Sequence, residues 1–152
     1  MPGADVEYQF TAEPGTFYYL KVSPWGSTGK YKVMTRYQNA YDAFEPNDTA
    51  ADATPVTAGK TVHANVMDIS DADWYKLASA PAESLQVVLK NRSTSLRPYV
   101  YVYDHNRSQL LEKNDGTAGA SLDFSFKTVP GETYYFLVTP WGRYGAYELT
   151  VK

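Results

Sequence analysis

Short runs of alternating apolar and polar residues, separated by turn-forming residues, extend through most of this chain. The runs are rich in Tyr, Val, Phe and Thr, and Gly, Pro or Asn-Asp pairs lie between them. Aromatic and β-branched residues at a period of two are typical of strands, so the pattern predicts an all-β protein. After residue 41 it predicts a polar loop over 104–119 and strands over 61–67, 73–78, 85–90, 99–103, 122–127, 133–139 and 147–151. This number of strands in about 110 residues is typical of an antiparallel two-sheet β-sandwich.

The last three predicted strands occur twice. Residues 4–36 match residues 120–152 without a gap at a constant offset of 116, and both copies keep a Pro-Gly turn and a Pro-Trp-Gly-x-x-Gly turn. The glycines allow positive φ where the chain reverses direction. By this match the first copy contains strands over 6–11, 17–22 and 31–35. Three strands leave a large apolar face and open edges, so the first copy is expected to need a partner.

The repeat divides the chain into three parts. Residues 1–38 form the partial, three-stranded repeat, residues 39–44 the linker, and residues 45–152 the complete sandwich. Two explanations of the first copy stay open: the chain is a piece of a longer tandem array, or the extra strands pair with an exposed edge of the same or a second chain. We expect self-association through these N-terminal strands.

Charge and composition exclude several function classes. The net charge of the 152 residues is -3, with Lys and Arg scattered, which gives no basic surface for nucleic acid or an anionic membrane. No apolar run is long enough to span a bilayer. The absence of cysteine excludes disulfides, thiolate catalysis and Cys-ligated zinc, so a hard metal ion is the remaining candidate for a bound stabiliser.

Four short motifs follow one another within residues 41–152. They are Glu45-Pro46-Asn47-Asp48-Thr49, Asp71-Ala72-Asp73-Trp74-Tyr75, Pro130-Gly131-x-x-Tyr134-Tyr135 and Gly145-x-Tyr147-x-Leu149. This ordered set resembles the bacterial pre-peptidase C-terminal domain family. The resemblance implies a jelly-roll-like sandwich that accompanies secreted enzymes without performing their chemistry. We therefore expect a secreted, periplasmic or cell-surface location and other domains of a secreted enzyme as partners.

Oxygen-bearing side chains in the first two motifs are candidate calcium ligands. Calcium takes six to eight hard oxygen ligands in tolerant geometry, and alternate residues of an extended segment project to one side. Related domains of clostridial collagenases hold calcium, and by that resemblance Glu45, Asn47, Asp48 and Asp73 are ligands. Asp71 is added because it projects from the same side as Asp73. The alternative is that Asn47, Asp48 and Asp71 are turn formers that bind nearby backbone N–H groups.

Exposed aromatic residues are candidates for binding an extracellular polymer, either a collagen-like protein or a polysaccharide. Trp141 lies in the second Pro-Trp-Gly turn, and Tyr99, Tyr101 and Tyr103 share one face of a strand. Related domains in clostridial collagenases bind collagen, and Trp141 matches an aromatic residue that contacts the ligand there. The alternative, which we favour for Trp141 and its counterpart Trp25, is that each indole covers an open end of a sandwich core.

A catalytic role has little support from the sequence. His63 and His105 are isolated from any nucleophile elbow or zinc-protease helix motif. The pair Asp71 and Asp73 leaves a hydrolase as a third possibility, after a polymer-binding module as the second. The sequence therefore predicts a non-catalytic accessory or interaction domain of a secreted bacterial protein, with calcium as the candidate bound ion.

Overall fold

The structure is a computed structural model that describes residues 3–6, 8, 17–35 and 42–152. The chain divides into two compact units, Met1–Asn39 and Ala40–Lys152, and each is described by itself. The described residues contain no helix that is long and apolar enough to cross a membrane. Residues 39–41, where the predicted linker begins, lie outside the described residues.

The second unit consists of two β-sheets. Nine strands run in chain order: β1 (Thr54–Pro55), β2 (Thr61–Val66), β3 (Asp73–Leu77), β4 (Ser84–Asn91), β5 (Pro98–Tyr103), β6 (Gln109–Asn114), β7 (Leu122–Lys127), β8 (Tyr134–Pro140) and β9 (Gly145–Val151). One sheet has the order β1-β3-β8-β5-β6 and the other the order β2-β9-β4-β7. Every pairing is antiparallel except that of β1 with β3. The predicted all-β sandwich is confirmed.

The core lies between the two sheets and follows from strand periodicity. In β5, Val100 and Val102 are buried while the tyrosines between them are partly exposed. Leu85, Val87 and Leu89 of β4 face the core in the same way from the other sheet. Successive residues of a strand point to opposite faces, so alternation along the sequence becomes an inside and an outside of each sheet.

All seven strands predicted after residue 41 are present, with ends that differ by two residues or fewer. The predicted loop over 104–119 is wrong in its central part, because β6 occupies 109–114. β6 is an edge strand whose residues are exposed except for a half-buried Leu111, so its sequence lacks the alternation that reveals a half-buried strand. The two-residue β1 was also not predicted, because a strand this short has no detectable period.

The first unit differs from the prediction made from the repeat. The described residues 17–35 contain no strand, so the strands predicted over 17–22 and 31–35 are not found. The strand predicted over 6–11 lies largely outside the described residues. The turn itself is kept, because Gly26 has a φ of 81° and its counterpart Gly142 a φ of 69°. A strand needs a neighbouring strand for its backbone hydrogen bonds, which local sequence alone does not supply.

Candidate metal centre and aromatic face

The two acidic motifs meet at the first residue of β3. Asp73 opens this strand on its inner, core-facing side, and Asp71 precedes it by two residues. The segment that carries Glu45 and Asn47 runs beside the strand, because the N–H of Trp74 donates to the carbonyl of Asn47 at 2.9 Å. The motifs are therefore joined by a backbone hydrogen bond although they are far apart in sequence.

Three carboxylates and one amide converge at this point. Glu45, Asp71 and Asp73 each offer an oxygen, and these atoms lie within 4.8 Å of one another. The side-chain amide of Asn47 lies 3.2 Å from Oε1 of Glu45 and 3.3 Å from Oδ1 of Asp73. The Asn47 amide can point either of its two polar atoms toward these carboxylates. In one orientation its nitrogen donates to both of them; in the other its oxygen is available as a fourth ligand for a cation. Asn47 and Asp73 are fully buried.

Each carboxylate is anchored by one of its two oxygens. Oε2 of Glu45 accepts from the N–H of Asn47 at 3.2 Å, and Oδ2 of Asp71 accepts from the N–H of Met67 at 2.6 Å. Oδ2 of Asp73 accepts from the hydroxyl of Tyr147, which reaches across from β9 in the opposite sheet. These bonds fix the direction of the three side chains. The backbone-bonding role considered for Asp71 is thus present, and the same residue belongs to the group of three carboxylates.

The electrostatics of the cluster disfavour three bare negative charges. Burial above all, together with the negative charges of Asp71, Asp42 and Glu45, raises the pKa of Asp73 to about 8, although the hydrogen bond from Tyr147 lowers it. Burial likewise raises the pKa of Asp71 to about 6, and that of Glu45 above its ordinary value. Among the described residues no Lys, Arg or His forms an ion pair with these three groups. The negative charge of the three carboxylates can be neutralised by a bound proton or by an added cation.

Asp48, the fifth residue of the predicted ligand set, lies outside the group of three carboxylates. Its side chain is exposed, and its charge raises the pKa values of Glu45 and Asp71. The nearby Asp68 stabilises a turn, with its Oδ1 accepting from the N–H groups of Ser70 and Asp71. The structure therefore brings together four of the five residues named from the sequence.

Two partners of the cluster were not predicted from the sequence. Asp42 adds negative charge nearby, and its oxygens accept from the N–H groups of Phe44 and Asn65, each at 2.8 Å. Tyr147 bonds both Asp73 and the hydroxyl of Tyr75, the latter at 2.6 Å. Tyrosines at core positions are predicted to be packing residues. Only the tertiary structure shows that the hydroxyl of Tyr147 bonds a carboxylate and that the hydroxyl of Tyr75 bonds Tyr147.

The predicted tyrosine row lies on the outer face of the five-stranded sheet. Tyr99, Tyr101 and Tyr103 are partly exposed, and the rings of Tyr99 and Tyr101 stack at 6.1 Å between centroids. Trp141 meets Tyr99 edge-on at 5.6 Å. Trp74, which was not predicted, lies 5.0 Å from Tyr103. We call these five residues the aromatic face.

Trp141 does not cover the core, so that favoured interpretation is wrong for this residue. Its side chain is 56% exposed and is absent from the buried cluster. The N–H of Trp141 donates to the carbonyl of Arg97, which holds the turn beside β5 and points the indole along the outer face of the sheet. Trp25 is fully exposed in the first unit.

The two histidines lie on the surface beside single glutamates. Nδ1 of His63 is 3.4 Å from Glu148, and Nδ1 of His105 is 3.1 Å from Glu132. Arg92 also pairs with Glu148 at 2.6 Å. Neither histidine belongs to the carboxylate group at β3. Both histidines therefore lie at the surface, each within reach of one carboxylate.

Comparison with solved structures finds several matches, of which two are described here. The pre-peptidase C-terminal domain of a collagenase from Bacillus anthracis has a TM-score of 0.52 and 19% sequence identity, with 66% of this chain and 94% of that domain covered. A surface-associated copper-binding protein of Methylomicrobium album BG8 has a TM-score of 0.47 and 10% identity, with 66% and 98% covered. No protein-family model and no curated protein matches the sequence.

Proposed function

We propose that this chain, whose second unit has the β-sandwich fold of pre-peptidase C-terminal domains, is a calcium-stabilised, non-catalytic accessory domain of a secreted bacterial protein. In this role the sandwich accompanies and positions other domains outside the cytoplasm. The observation that carries the calcium assignment is the convergence of Glu45, Asp71 and Asp73 with the amide of Asn47 in a buried place.

The spacing of the oxygen atoms fits one calcium ion. Calcium–oxygen distances are about 2.3–2.6 Å, so two ligand atoms on opposite sides of the ion lie about 4.6–5.2 Å apart. The carboxylate oxygens lie within 4.8 Å of one another. The donor set is all oxygen, which suits a hard cation better than zinc or copper, whose preferred ligands are imidazole and thiolate. Backbone carbonyls and water would complete the shell.

Burial of the acidic pair supports a non-catalytic role. A glycosidase needs its two carboxylates on either side of an open cleft, with a sugar between them. Asp73 is fully buried and Asp71 is 8% exposed, so neither presents an oxygen to a polymer chain. Asp73 is moreover bonded to a core tyrosine, Tyr147. The arrangement suits an ion that is held in the fold, which is a structural use.

The calcium assignment is tested by thermal unfolding of the full chain. We expect the Tm of the sandwich to rise by about 5–10 °C in excess calcium relative to chelator, because a ligand bound only by the folded state stabilises it by mass action. Asp73→Asn keeps an acceptor for Tyr147 but loses a charge from the site, so its calcium response should fall below about 2 °C. Equal Tm values in calcium and chelator for the unaltered chain would remove the assignment.

Asp48→Asn is the matched control for this experiment. It removes the same charge from an exposed residue of the other acidic motif, outside the group of three carboxylates. We expect it to keep most of the calcium response. Loss of the response in this variant as well as in Asp73→Asn would show that the general acidity of the region, and not the convergence at β3, governs the effect.

A second candidate function is polymer binding, and the aromatic face favours it. Flat, partly exposed rings of Tyr99, Tyr101 and Trp141 lie next to one another on the outer face of a rigid sheet. Such a row offers a stacking platform to a sugar chain or to an extended protein fibre, and Trp and Tyr dominate binding hot spots. A polymer bound there would tether the accessory domain to an insoluble substrate.

Pull-down on insoluble collagen, cellulose and chitin tests this second function. Trp141→Ala should release the chain from the polymer that retains it, because the indole, at 56% exposure, is the most exposed ring of the aromatic face and the other four are half-buried. Trp25→Ala removes the same residue from the equivalent turn of the first repeat and serves as the matched control. Equal retention of the two variants, or no retention of the unaltered chain, counts against the aromatic face.

A further inference from the structure

Two positively charged side chains border the aromatic face where β5 ends. Lys76 of β3 and Tyr103 of β5 both pair in register with Tyr135 of β8, so the three side chains lie in one row on the outer face of the sheet. Tyr135 is accordingly absent from the core cluster. Nζ of Lys76 and the guanidinium carbon of Arg107 each lie 5.8 Å from the centre of the Tyr135 ring. Two cations therefore lie beside Tyr103.

A third positively charged side chain lies where β5 begins. Arg97 is exposed between two buried neighbours, so the alternation of β5 places it on the same face as Tyr99. The carbonyl of Arg97 accepts from the N–H of Trp141, whose indole meets Tyr99 on this side of the aromatic face. Arg97 and Tyr103 are six residues apart in sequence, which corresponds to about 20 Å along an extended chain. The aromatic face thus lies between two positively charged ends.

These three cations have no acidic partner. Over the described residues, the ion pairs join other basic side chains to Glu132 and Glu148. The contact of Lys76 and Arg107 with a tyrosine ring occupies one side of each cation and does not neutralise its charge. The positive charge at the two ends of the aromatic face is therefore available to an anionic ligand.

One carboxylate adjoins the aromatic face along its side. Glu112 of the edge strand β6 is the register partner of Tyr101. Burial first, and then the negative charge of Glu112, raises the pKa of Tyr101 and of Tyr103. An anionic chain is therefore favoured over β5 and β8, between the two positively charged ends, and is disfavoured over β6.

We propose that the aromatic face binds an acidic polysaccharide of the polyuronate class, with its carboxylates at Lys76 and Arg107 on one side and at Arg97 on the other. This inference rests on the polymer-binding function proposed above and names its substrate class. The sugar rings would lie on the aromatic side chains. A planar carboxylate matches the fork of a guanidinium group, and as a flat substituent it lets the sugar ring approach the aromatic rings closely. Neutral polymers such as cellulose and chitin offer no such partner to the three cations.

The test uses the full chain and two soluble polymers that differ only in charge. Polygalacturonate carries a carboxylate on each sugar, and its fully methyl-esterified form keeps the same rings without the charge. Isothermal titration calorimetry measures the two affinities. We expect at least about tenfold tighter binding of polygalacturonate, because three exposed ion pairs together contribute about that factor. This affinity should fall as salt is added.

The outcomes separate this inference from the polymer-binding function on which it rests. Equal affinity for the two polymers overturns the polyuronate assignment and leaves polymer binding in place. Binding of neither form, with no retention on insoluble collagen, cellulose or chitin, removes both. Tighter binding of dextran sulfate, of an oligo-dT strand or of collagen than of polygalacturonate also overturns the polyuronate assignment.

Lys76→Gln and Lys127→Gln form a matched pair of variants. The first removes a charge beside the aromatic face, and the second removes the same charge from an exposed residue at the end of β7 in the other sheet. We expect Lys76→Gln to weaken polygalacturonate binding about threefold to fivefold and Lys127→Gln to change it less than about twofold. Equal effects of the two substitutions overturn the proposal.

Glu112→Gln tests the same charge arrangement in the opposite direction. It removes the carboxylate that adjoins Tyr101, so polygalacturonate should bind about threefold tighter while the affinity for the methyl-esterified form stays the same. A gain of affinity cannot result from a variant that fails to fold. Unchanged or weaker binding of polygalacturonate by a folded Glu112→Gln chain overturns the placement of the polymer's carboxylates on the aromatic face.

Discussion

At the scale of single residues, the buried carboxylates couple the stability of residues 42–152 to pH. The pKa of Asp73 is about 8 in the folded chain and 3.8 in its ordinary state. The pKa of Asp71 rises from 3.8 to about 6. The folded state therefore holds protons more tightly than the unfolded state. The stability that these groups contribute is complete below pH 3.8 and is lost as the pH rises through 6 and then 8.

In chelator we expect the Tm of the unaltered chain to fall by at least about 5 °C between pH 5 and pH 9. Asp73→Asn removes the carboxyl group whose pKa is raised above that of Asp71, so the Tm of this variant should fall less over the same range. Excess calcium should raise the Tm most at the alkaline end of this range, because calcium binds the deprotonated carboxylates that burial disfavours. Differential scanning fluorimetry measures Tm against pH for the unaltered chain in chelator, for Asp73→Asn in chelator and for the unaltered chain in calcium. Parallel curves for the two chains in chelator would contradict the assignment to Asp73.

The hydroxyl of Tyr147 is a second control point at this scale. It donates to Asp73 and also contacts the hydroxyl of Tyr75, and all three groups are buried. Tyr147→Phe keeps the ring in the core but leaves the carboxylate without its partner, so we expect a loss of about 1–3 kcal/mol in the free energy of unfolding. Urea titration in chelator measures this loss. Tyr75→Phe is the control, because it leaves the bond from Tyr147 to Asp73 in place and should cost less.

At the scale of elements, the start of β9 depends on a close approach between backbone and loop. Gly145 has a φ of 156°, and a Cβ added there would overlap the side chain of Ser93 in the loop after β4. The lack of a side chain is therefore what lets β9 begin beside this loop. Gly29 occupies the same position of the first repeat, and a Cβ there would meet no heavy atom within 4 Å.

Gly145→Ala and Gly29→Ala form a matched pair for this contact. We expect the former to lower the free energy of unfolding of the sandwich by about 1–3 kcal/mol, because either β9 or the Ser93 loop must move. The latter should leave stability within about 0.5 kcal/mol of the unaltered chain. Chemical denaturation of both variants measures the difference, and equal effects would argue against the close approach as the cause.

At the scale of the whole molecule, the second unit has a hydrophobic core of its own. Over the part of the chain that the structure describes, the residues of the buried cluster and the partly buried residues packed against it belong to residues 44–151. The chain divides into separate compact units at residue 39. Core burial is the main source of folding free energy, so the stability of the second unit should be set within it.

Removal of residues 1–41 should therefore leave the Tm of the sandwich unchanged within about 2 °C, both in calcium and in chelator. A large loss of Tm in the shortened chain would mean that the first repeat supports the sandwich itself. Circular dichroism melting of the two chains decides the matter.

The sequence determined much of the second unit because strand periodicity is local. Alternation in β5 places its valines inside and its tyrosines outside whatever strands lie beside it. The same alternation placed Asp71 on one side of the chain with Asp73, and the resemblance to pre-peptidase C-terminal domains gave Glu45 and Asp73 as candidate ligands. These features depend on neighbours in the chain, which a sequence displays directly.

The tertiary structure alone decided which elements meet. It brought Tyr147 from one sheet to Asp73 in the other, left Asp48 outside the carboxylate group and turned Trp141 away from the core. It also made β6 a strand, although its exposed sequence has no alternation to reveal it. The two copies of the repeat give the clearest physical reason: similar sequences form β8 and β9 where neighbouring strands flank them, and no strand over the described residues 17–35. Strand formation depends on hydrogen bonds and burial that distant segments supply. A local alternating pattern is compatible with a strand but does not by itself form one.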